Sequence, residues 1–525
     1  MLPYADIRQT HSAVVFFVGD RAYKLKRPVN LGFLDFSTIN ARDAACQREI
    51  ELNRRFAPDV YLGIAEVAGP AGPPPEPLVV MRRMPVDRRL SDLVCGGVPV
   101  GGALRQVARM LAAQHAASPR RPEISEQGSA SALGSRWSAS YEQIRALAPD
   151  ALQACDIDAA QRLTKRFLAG REALLSARIS GGRIVDGHGD LLADDIFCLD
   201  DGPRILDCLE FDDKLRWLDG LDDAAFLAMD LERLGEPAQA EQFTRWYVEF
   251  SGDPAPTALR HHYVAYRAFV RAKVACVRAA QGDPRAAAAA RQLTAMTLRH
   301  LRAGAITLVM IGGLPATGKS ALASALAGRL GWTVLSSDRI RKELAGVSPG
   351  EHSAAHYGAG IYAPRWTERT YSELLSRAAR LLAMGESVIL DASWVSAAQR
   401  SAAASVAGAA SADLVQLCCT APAELSAQRM SRRRDDVSDA CPAVAARMAV
   451  VQAPWPEAIV IDTSETGPAG RPGPVRETGP GGPVCDMEPA CPAGLAGPAR
   501  LAMAAIRPHG PEHVWRPVRP CMLPG

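Results

Sequence analysis

The sequence predicts a composite of α+β and α/β architecture: a small mixed lobe and a helical lobe, then a doubly wound parallel sheet, then a Gly/Pro-rich tail. Three observations predict it. Short apolar runs flank Gly19-Asp20 and are followed by a helical stretch. Past Gly304 the pattern changes abruptly to strand, glycine loop and helix. From Glu465 onward Gly, Pro, Arg and Ala dominate without sustained apolar periodicity. A chain of 525 residues, at roughly 150 residues per domain, is expected to form two to four domains.

In order, Ala13 to Val18 and Ala22 to Leu25 read as a hairpin, and Ile39 to Arg55 as a helix. Val60 to Val67 and Leu78 to Met84 read as strands, separated by Gly69 to Pro77, whose Pro and Gly density predicts an irregular connection. Helical patterns near Leu104–Ala117, Tyr141–Leu147, Ala159–Ala177, Asp222–Leu234, Ala238–Phe250 and Ala258–Ala280 make the second lobe. Between them, Val185 to Phe211 is an island of loop, strand, turn and strand. Beyond the Ala-rich stretch Arg285–Arg302, strand candidates Ile306–Ile311, Thr333–Leu335, Ser387–Leu390, Leu414–Cys419 and Ala458–Ile461 alternate with helices, the pattern of a parallel sheet. The expected division is therefore 1–303, 304–464 and 465–525. The last segment has too few large apolar groups to offset its ordering entropy and is expected to be mostly disordered.

Sixty Lys+Arg against 57 Asp+Glu leave a formal charge of +3, no footprint for nucleic acid or anionic lipid. Twelve cysteines show no CxxC pair or finger-like His spacing, which favours a reduced, cytoplasmic setting. Asp6 and Arg8 precede any apolar stretch, and nowhere do about 18 apolar residues run together, so neither an export signal nor a membrane span is expected.

Gly313-Leu314-Pro315-Ala316-Thr317-Gly318-Lys319-Ser320 matches GxxxxGK[ST] between an apolar strand and the helix that continues through Ala321 to Leu330. Glycines let backbone N–H groups turn toward the phosphates of a nucleoside triphosphate, Lys319 neutralises the β and γ oxygens, and Ser320 ligates Mg²⁺. Asp338, in Ser336-Ser337-Asp338-Arg339-Ile340-Arg341, closes the next strand and is the candidate general base, with Arg341 one turn later for substrate or phosphate. The bland alternative is a helix cap beside a solvated arginine. Asp391 ends the strand Val388-Ile389-Leu390 where a metal-binding carboxylate belongs. Arg429 and Arg432 or Arg433, in the run Arg429 to Arg434, are either a solvated basic face or a lid reaching charge on the transferred group.

In the island, Asp190 of Asp186-Gly187-His188-Gly189-Asp190 and Asp207 are joined by a hairpin, an arrangement that brings an acceptor-orienting aspartate near a metal-binding one. Lys24, preferred over Lys26 on the same strand face, precedes the helix carrying Glu49, the order needed for an ion pair that sets a lysine on phosphates.

The order of glycine loop, Asp-x-x-Arg and late arginines over about Ile306 to Ser464 resembles the P-loop kinases that include polynucleotide kinase and gluconate kinase, with AAA and zeta-toxin proteins nearby in type. Tyr23-Lys24-Leu25-Lys26-Arg27-Pro28, Leu34-Asp35-Phe36-Ser37, His188-Gly189-Asp190-Leu191 and Leu206-Asp207-Cys208-Leu209-Glu210-Phe211 resemble the aminoglycoside phosphotransferase family. The whole chain is similar to bacterial proteins that join the two domain types. The resemblance implies a bilobal protein-kinase-like first domain with Asp190 catalytic and Asp207 binding metal. Where that family has a metal-binding Asn, this sequence has Asp195, and Gly19 stands alone in the phosphate-covering turn. The expectation is an ATP- and Mg²⁺-dependent phosphotransferase, of EC 2.7 type, acting on a small-molecule hydroxyl, with the first domain active or degenerate. The competing expectation is an ATP-hydrolysing switch with a recognition module. Polynucleotide end phosphorylation is disfavoured by the near-neutral charge.

Overall fold

The computed structural model describes residues 5–9, 12–30, 35–69, 72–147, 152–348, 358–432, 441–464 and 496–506. Two compact units divide at Gly304 and Ala305, with the short stretch Arg166–Ala173 grouped with the second.

In the first unit, β1 (Ala5–Gln9), β2 (Ala13–Val18), β3 (Arg21–Lys26), β4 (Tyr61–Gly69) and β5 (Gly72–Arg82) form an antiparallel sheet in the order β1-β2-β3-β5-β4. Gly19, at φ 58°, makes the β2–β3 turn. Thr38 caps the helix Ile39–Asn53 by accepting from the Ala41 amide. Cys46 and Ile50 of that helix pack on Val79 and Tyr61, forming the lobe's core. The expected irregular stretch Gly69–Pro77 is largely strand instead: Val67 opposes Glu76 and Gly69 opposes Gly72. The ladder from β3 starts only at Leu78. Gly72 to Pro77 therefore has one partner strand, so prolines there are tolerated as edge residues are, because only the N–H groups on one side of the strand are called on.

The helical lobe packs Gly101–Ala117, Ala130–Leu147, Gly220–Arg233, Pro237–Ser251, Thr257–Ala280 and Ala286–Ala303. Its centre is aromatic, with Trp137, Tyr141, Tyr266 and Phe269 in mutual contact. The expected helix Ala159–Ala177 is two helices, Ala154–Ala169 and Glu172–Ser180, interrupted at Gly170. Against this lobe lie β6 (Ile184–Asp186), β7 (Ile196–Leu199), β8 (Gly202–Ile205) and β9 (Trp217–Asp219), paired β6 with β9 and β7 with β8. A small sheet lobe, a helical lobe and a loop region carrying two antiparallel strand pairs make a bilobal, kinase-like fold.

The second unit is a parallel sheet of β10 (Thr307–Gly312), β11 (Thr333–Ser336), β12 (Val388–Asp391), β13 (Asp413–Thr420) and β14 (Ile459–Asp462) in the order β11-β12-β10-β13-β14. Every residue of β10 and β12 is buried, as expected of central strands covered on both faces. The strand order reverses about β10, which opens the crevice where such folds bind ligands.

Within the segment 465–525, expected to be mostly disordered, the described part is one helix. The helix Ala496–Ile506 places Ala499, Ala502 and Ile506 against Val309, Ile311, Leu322 and Leu417 in the sheet's core. Average composition concealed an 11-residue amphipathic run whose alanines permit close approach. Residues 465–495 and 507–525 of that expectation lie outside the described residues. Among the described residues no helix is long and apolar enough to cross a membrane.

Ala499→Asp places a carboxylate in this core, and urea denaturation is expected to show a loss of at least about 2 kcal/mol. A change below about 0.5 kcal/mol, the size of ordinary surface effects, would mean the helix does not dock.

Candidate active sites

The loop after β10 is shaped by three residues at positive φ: Gly313 (129°), Ala316 (63°) and Gly318 (87°). A Cβ on Gly313 would lie 2.3 Å from the Cys419 carbonyl oxygen, so only glycine passes the end of β13 there. Gly318 caps the helix Lys319–Leu330 and rests against Thr463. Lys319 Nζ donates to the Leu314 carbonyl at 2.9 Å, curling over the loop's mouth. Behind it, Thr463 Oγ1 donates to Thr317 O at 2.7 Å. Backbone amides curled about a helix amino terminus, with one ammonium across the opening, form an anion cradle that fits a triphosphate.

The cradle opens into a cavity of about 890 Å³, lined by Lys319, Ser320, Asp338, Arg341, Glu368 and Asp391 among others. Asp391 ends β12 in register with Ser336 of β11, and Asp338 follows in the first turn of the helix Ser337–Ala345. The cradle's helix and two strand ends thus converge on one chamber. Ser320 and Asp391 present the oxygen donors a hard cation requires. Arg341 is 5% exposed, not a solvated surface arginine. Its Nη1 donates to Ile361 O at 3.0 Å and Thr367 Oγ1 at 3.2 Å, and its guanidinium lies 4.9 Å from the Tyr362 ring.

The expected lid is different. Arg429 does not reach over the cradle: Nη2 donates to Thr463 O at 2.7 Å and Nη1 to Ala316 O at 3.3 Å, so it buttresses the loop from below. Backbone carbonyls turned outward by the loop's left-handed residues are its natural acceptors. Arg432 is exposed at the end of the helix Ala423–Arg432 and does not line the cavity. Arg433 lies outside the described residues. Sequence reading missed Thr463, a lone hydroxyl after a strand, and Trp394. Trp394 is fully buried at φ 54° beside Tyr371, whose hydroxyl accepts from the Trp394 amide.

In the first unit, Glu49 is fully buried and takes both lysines, Lys24 at 2.9 Å and Lys26 at 2.7 Å. Lys24 also reaches Asp207 at 2.5 Å, whereas Lys26 pairs with Glu210. Burial would lower the Lys24 pKa, but Asp207, Glu49 and Glu210 outweigh it and hold it well above the ordinary lysine value. Lys24 in turn holds the Asp207 carboxyl below its usual range. Burial, with Asp207 and Asp190 nearby, pushes Asp195 well up, a repulsion that a bound cation would relieve. Asp195 and Asp207 thus suit a divalent ion, although among the described residues no three acidic, His or Cys side chains converge closely enough to enclose one.

The Asp190 loop is held from below. Asp223 accepts from the His188 and Gly189 amides at 2.7 and 2.8 Å and meets His115 Nε2 at 3.0 Å. His188 Nε2 donates to the Leu206 carbonyl, tying the loop to the segment that carries Asp207. Asp207 itself sits at φ 63°. Sequence reading missed Asp223 and His115. The signal available was Asp222-Asp223 ahead of the apolar run Ala224–Met229 in the helix Gly220–Arg233.

Comparison with known proteins adds the following. The chain is 44% identical over 464 residues to the protein Rv2004c of Mycobacterium tuberculosis and, equally, to Mb2027c of Mycobacterium bovis, covering 88% of this chain and 93% of each relative. The chain belongs to their family. Residues 308–454 match a family model described as an AAA domain. Among solved structures, a choline/ethanolamine kinase family protein from Mesorhizobium loti is 17% identical over 57% of this chain and 93% of that one, with a TM-score of 0.35. The APS kinase CysC of Mycobacterium tuberculosis, in complex with AMPPNP and APS, is 22% identical over 24% of this chain and 70% of that one, with a TM-score of 0.21.

The two lysines of the first unit differ in what they leave behind. Lys26→Met strips a partner from Glu49 and Glu210 in a site 2% exposed and is expected to cost about 2–3 kcal/mol in thermal unfolding. Lys24→Met also strips a partner from Glu49, but its second partner, Asp207, is 54% exposed where Glu210 is 12% exposed, so it costs less. The reverse order would contradict this division of labour.

Proposed function

We propose that the chain is an ATP-dependent phosphotransferase with two phosphate-handling sites, one per unit, acting on small-molecule hydroxyls. The carrying observation is the single chamber that brings Lys319 and Ser320 together with Asp338, Arg341 and Asp391. A nucleotide switch needs the cradle alone; an acceptor chamber beside it fits transfer. In this reading Lys319 exchanges the Leu314 carbonyl for the β and γ oxygens of ATP, and Ser320 and Asp391 hold Mg²⁺. Magnesium supplies charge neutralisation along the phosphates. The acceptor hydroxyl loses its proton to Asp338 as its oxygen bonds to the γ-phosphorus and the bond to the ADP oxygen breaks. Arg341, fixed by Ile361 and Thr367, orients the acceptor.

For the first unit the same reading gives Asp190 the proton, Asp207 and Asp195 the metal, and Lys24 with Glu49 the nucleotide phosphates. Among the described residues Arg341 is the one arginine lining the second unit's cavity, which suits a small acceptor better than a polynucleotide. The free thiols of the described cysteines fit a cytoplasmic setting, where ATP is available.

With γ-labelled ATP, Mg²⁺ and a metabolite extract, Lys319→Ala should abolish one set of labelled products and Asp190→Ala another. Asp338→Asn should lower transfer by the second unit about 10²–10⁴-fold while changing ATP affinity little. Undiminished transfer in that variant removes Asp338 as the base; nucleotide hydrolysis without any labelled acceptor favours the switch.

A further inference from the structure

Two arginines one turn apart on the helix Thr257–Ala280 are used very differently. Arg267 is 5% exposed and committed to one partner: Nε and Nη2 donate to the Asp222 carboxylate at 2.7 and 2.9 Å, and the guanidinium lies 4.9 Å from the Phe226 ring. Arg271, with 31% of its side chain exposed, stands 3.8 Å from Asp190 Oδ1 through Nη1, beyond hydrogen-bond reach. Among the described residues that ion pair is its one polar contact. A guanidinium has five N–H donors in a planar fork that matches carboxylate and phosphate. Here the fork is held by a packed helix and opens beside the carboxylate assigned to the acceptor.

Asp190 has both acidic and basic neighbours: Asp207, which meets Lys24, is near it, and Arg271 stands 3.8 Å from its Oδ1 with donors left open. A cationic acceptor would be brought against a like charge as its hydroxyl approached Asp190. An anionic one would gain charge-assisted hydrogen bonds to a donor set that the fold leaves open.

We infer that the first unit takes a small hydroxyl compound carrying a carboxylate or phosphate, and that Arg271 binds this anionic group while the hydroxyl meets Asp190. The inference rests on the phosphotransferase reading of that unit and narrows it to acceptors of opposite charge to a polyamine sugar.

The full chain carrying Lys319→Ala is titrated calorimetrically, with Mg²⁺ and a non-hydrolysable ATP analogue present. One arm uses D-glycerate and glycerol 3-phosphate, which separate carboxylate from phosphate; the other uses ethanolamine and glucosamine. At least one anion should bind, about 10- to 100-fold more weakly in Arg271→Met, with partial recovery in Arg271→Lys. The amines should bind Arg271→Met no worse than the parent. An unchanged thermal midpoint in Arg271→Met separates lost contact from lost fold. Preferential binding of the amines, anion affinity indifferent to Arg271, or retention of none of the four probes at millimolar concentration overturns the inference. Arg271-dependent anion binding with no label transferred from γ-labelled ATP leaves the inference standing and removes the transferase reading of this unit.

Discussion

The loop after β10 runs so close to the ends of β13 and β14 that a methyl group at Gly313 would collide with the Cys419 carbonyl, and one at Gly318 would press on Thr463. That contact is the constraint on which the second unit depends. Two glycines in left-handed conformations turn the loop's amides inward and its carbonyls outward. The outward carbonyls must then be satisfied, because buried backbone acceptors without partners are costly. Thr463 and Arg429 meet this need, one from the end of β14 and one from the helix Ala423–Arg432. An arginine that charge pattern alone assigns to the transferred phosphate is thereby committed to the loop's support.

The first unit solves a related problem with side chains. Glu49, with no exposure, is worth keeping ionised only because two ammonium groups share it. Those lysines carry the charge outward to Asp207 and Glu210, so a chain of alternating signs links the sheet lobe to the segment after β8. On the far side Asp223 receives the His188 and Gly189 amides and presents Asp190. Arg271 completes the surroundings of Asp190 without being consumed by any stronger partner. The result is a carboxylate, Asp190, that has Asp207 and Arg271 both close by.

Much of this was legible before any coordinates. Gly313 to Ser320 occupies a sequence position that admits one geometry, between an apolar strand and a helix, and the structure shows that geometry. Lys24 and Glu49 pair as their order along the chain implied, whereas the contact of Lys24 with Asp207 is added by the tertiary structure. The failures have physical causes. Gly72 to Pro77 looked irregular because proline frequency says nothing about whether a second strand will demand the missing N–H groups. The helix Ala496–Ile506 was submerged in the composition around it. Lys26 and Lys24 were indistinguishable in a strand with period two; only the placement of Glu210 and Asp207 separates them.

The sequence by itself determined the chemistry available to the protein: a glycine-rich turn, two lysines on one strand face, and carboxylates at strand ends, all set by local periodicity and backbone freedom. Tertiary structure alone decided which charges are consumed and which remain to meet a ligand. Arg429 is spent on the backbone, Arg267 on Asp222, and Arg271 on neither. The reason is that a guanidinium's role depends on which acceptors lie within about 3 Å of it. Those acceptors come from segments remote in the chain, brought there by burial of apolar surface that carries no information about charge.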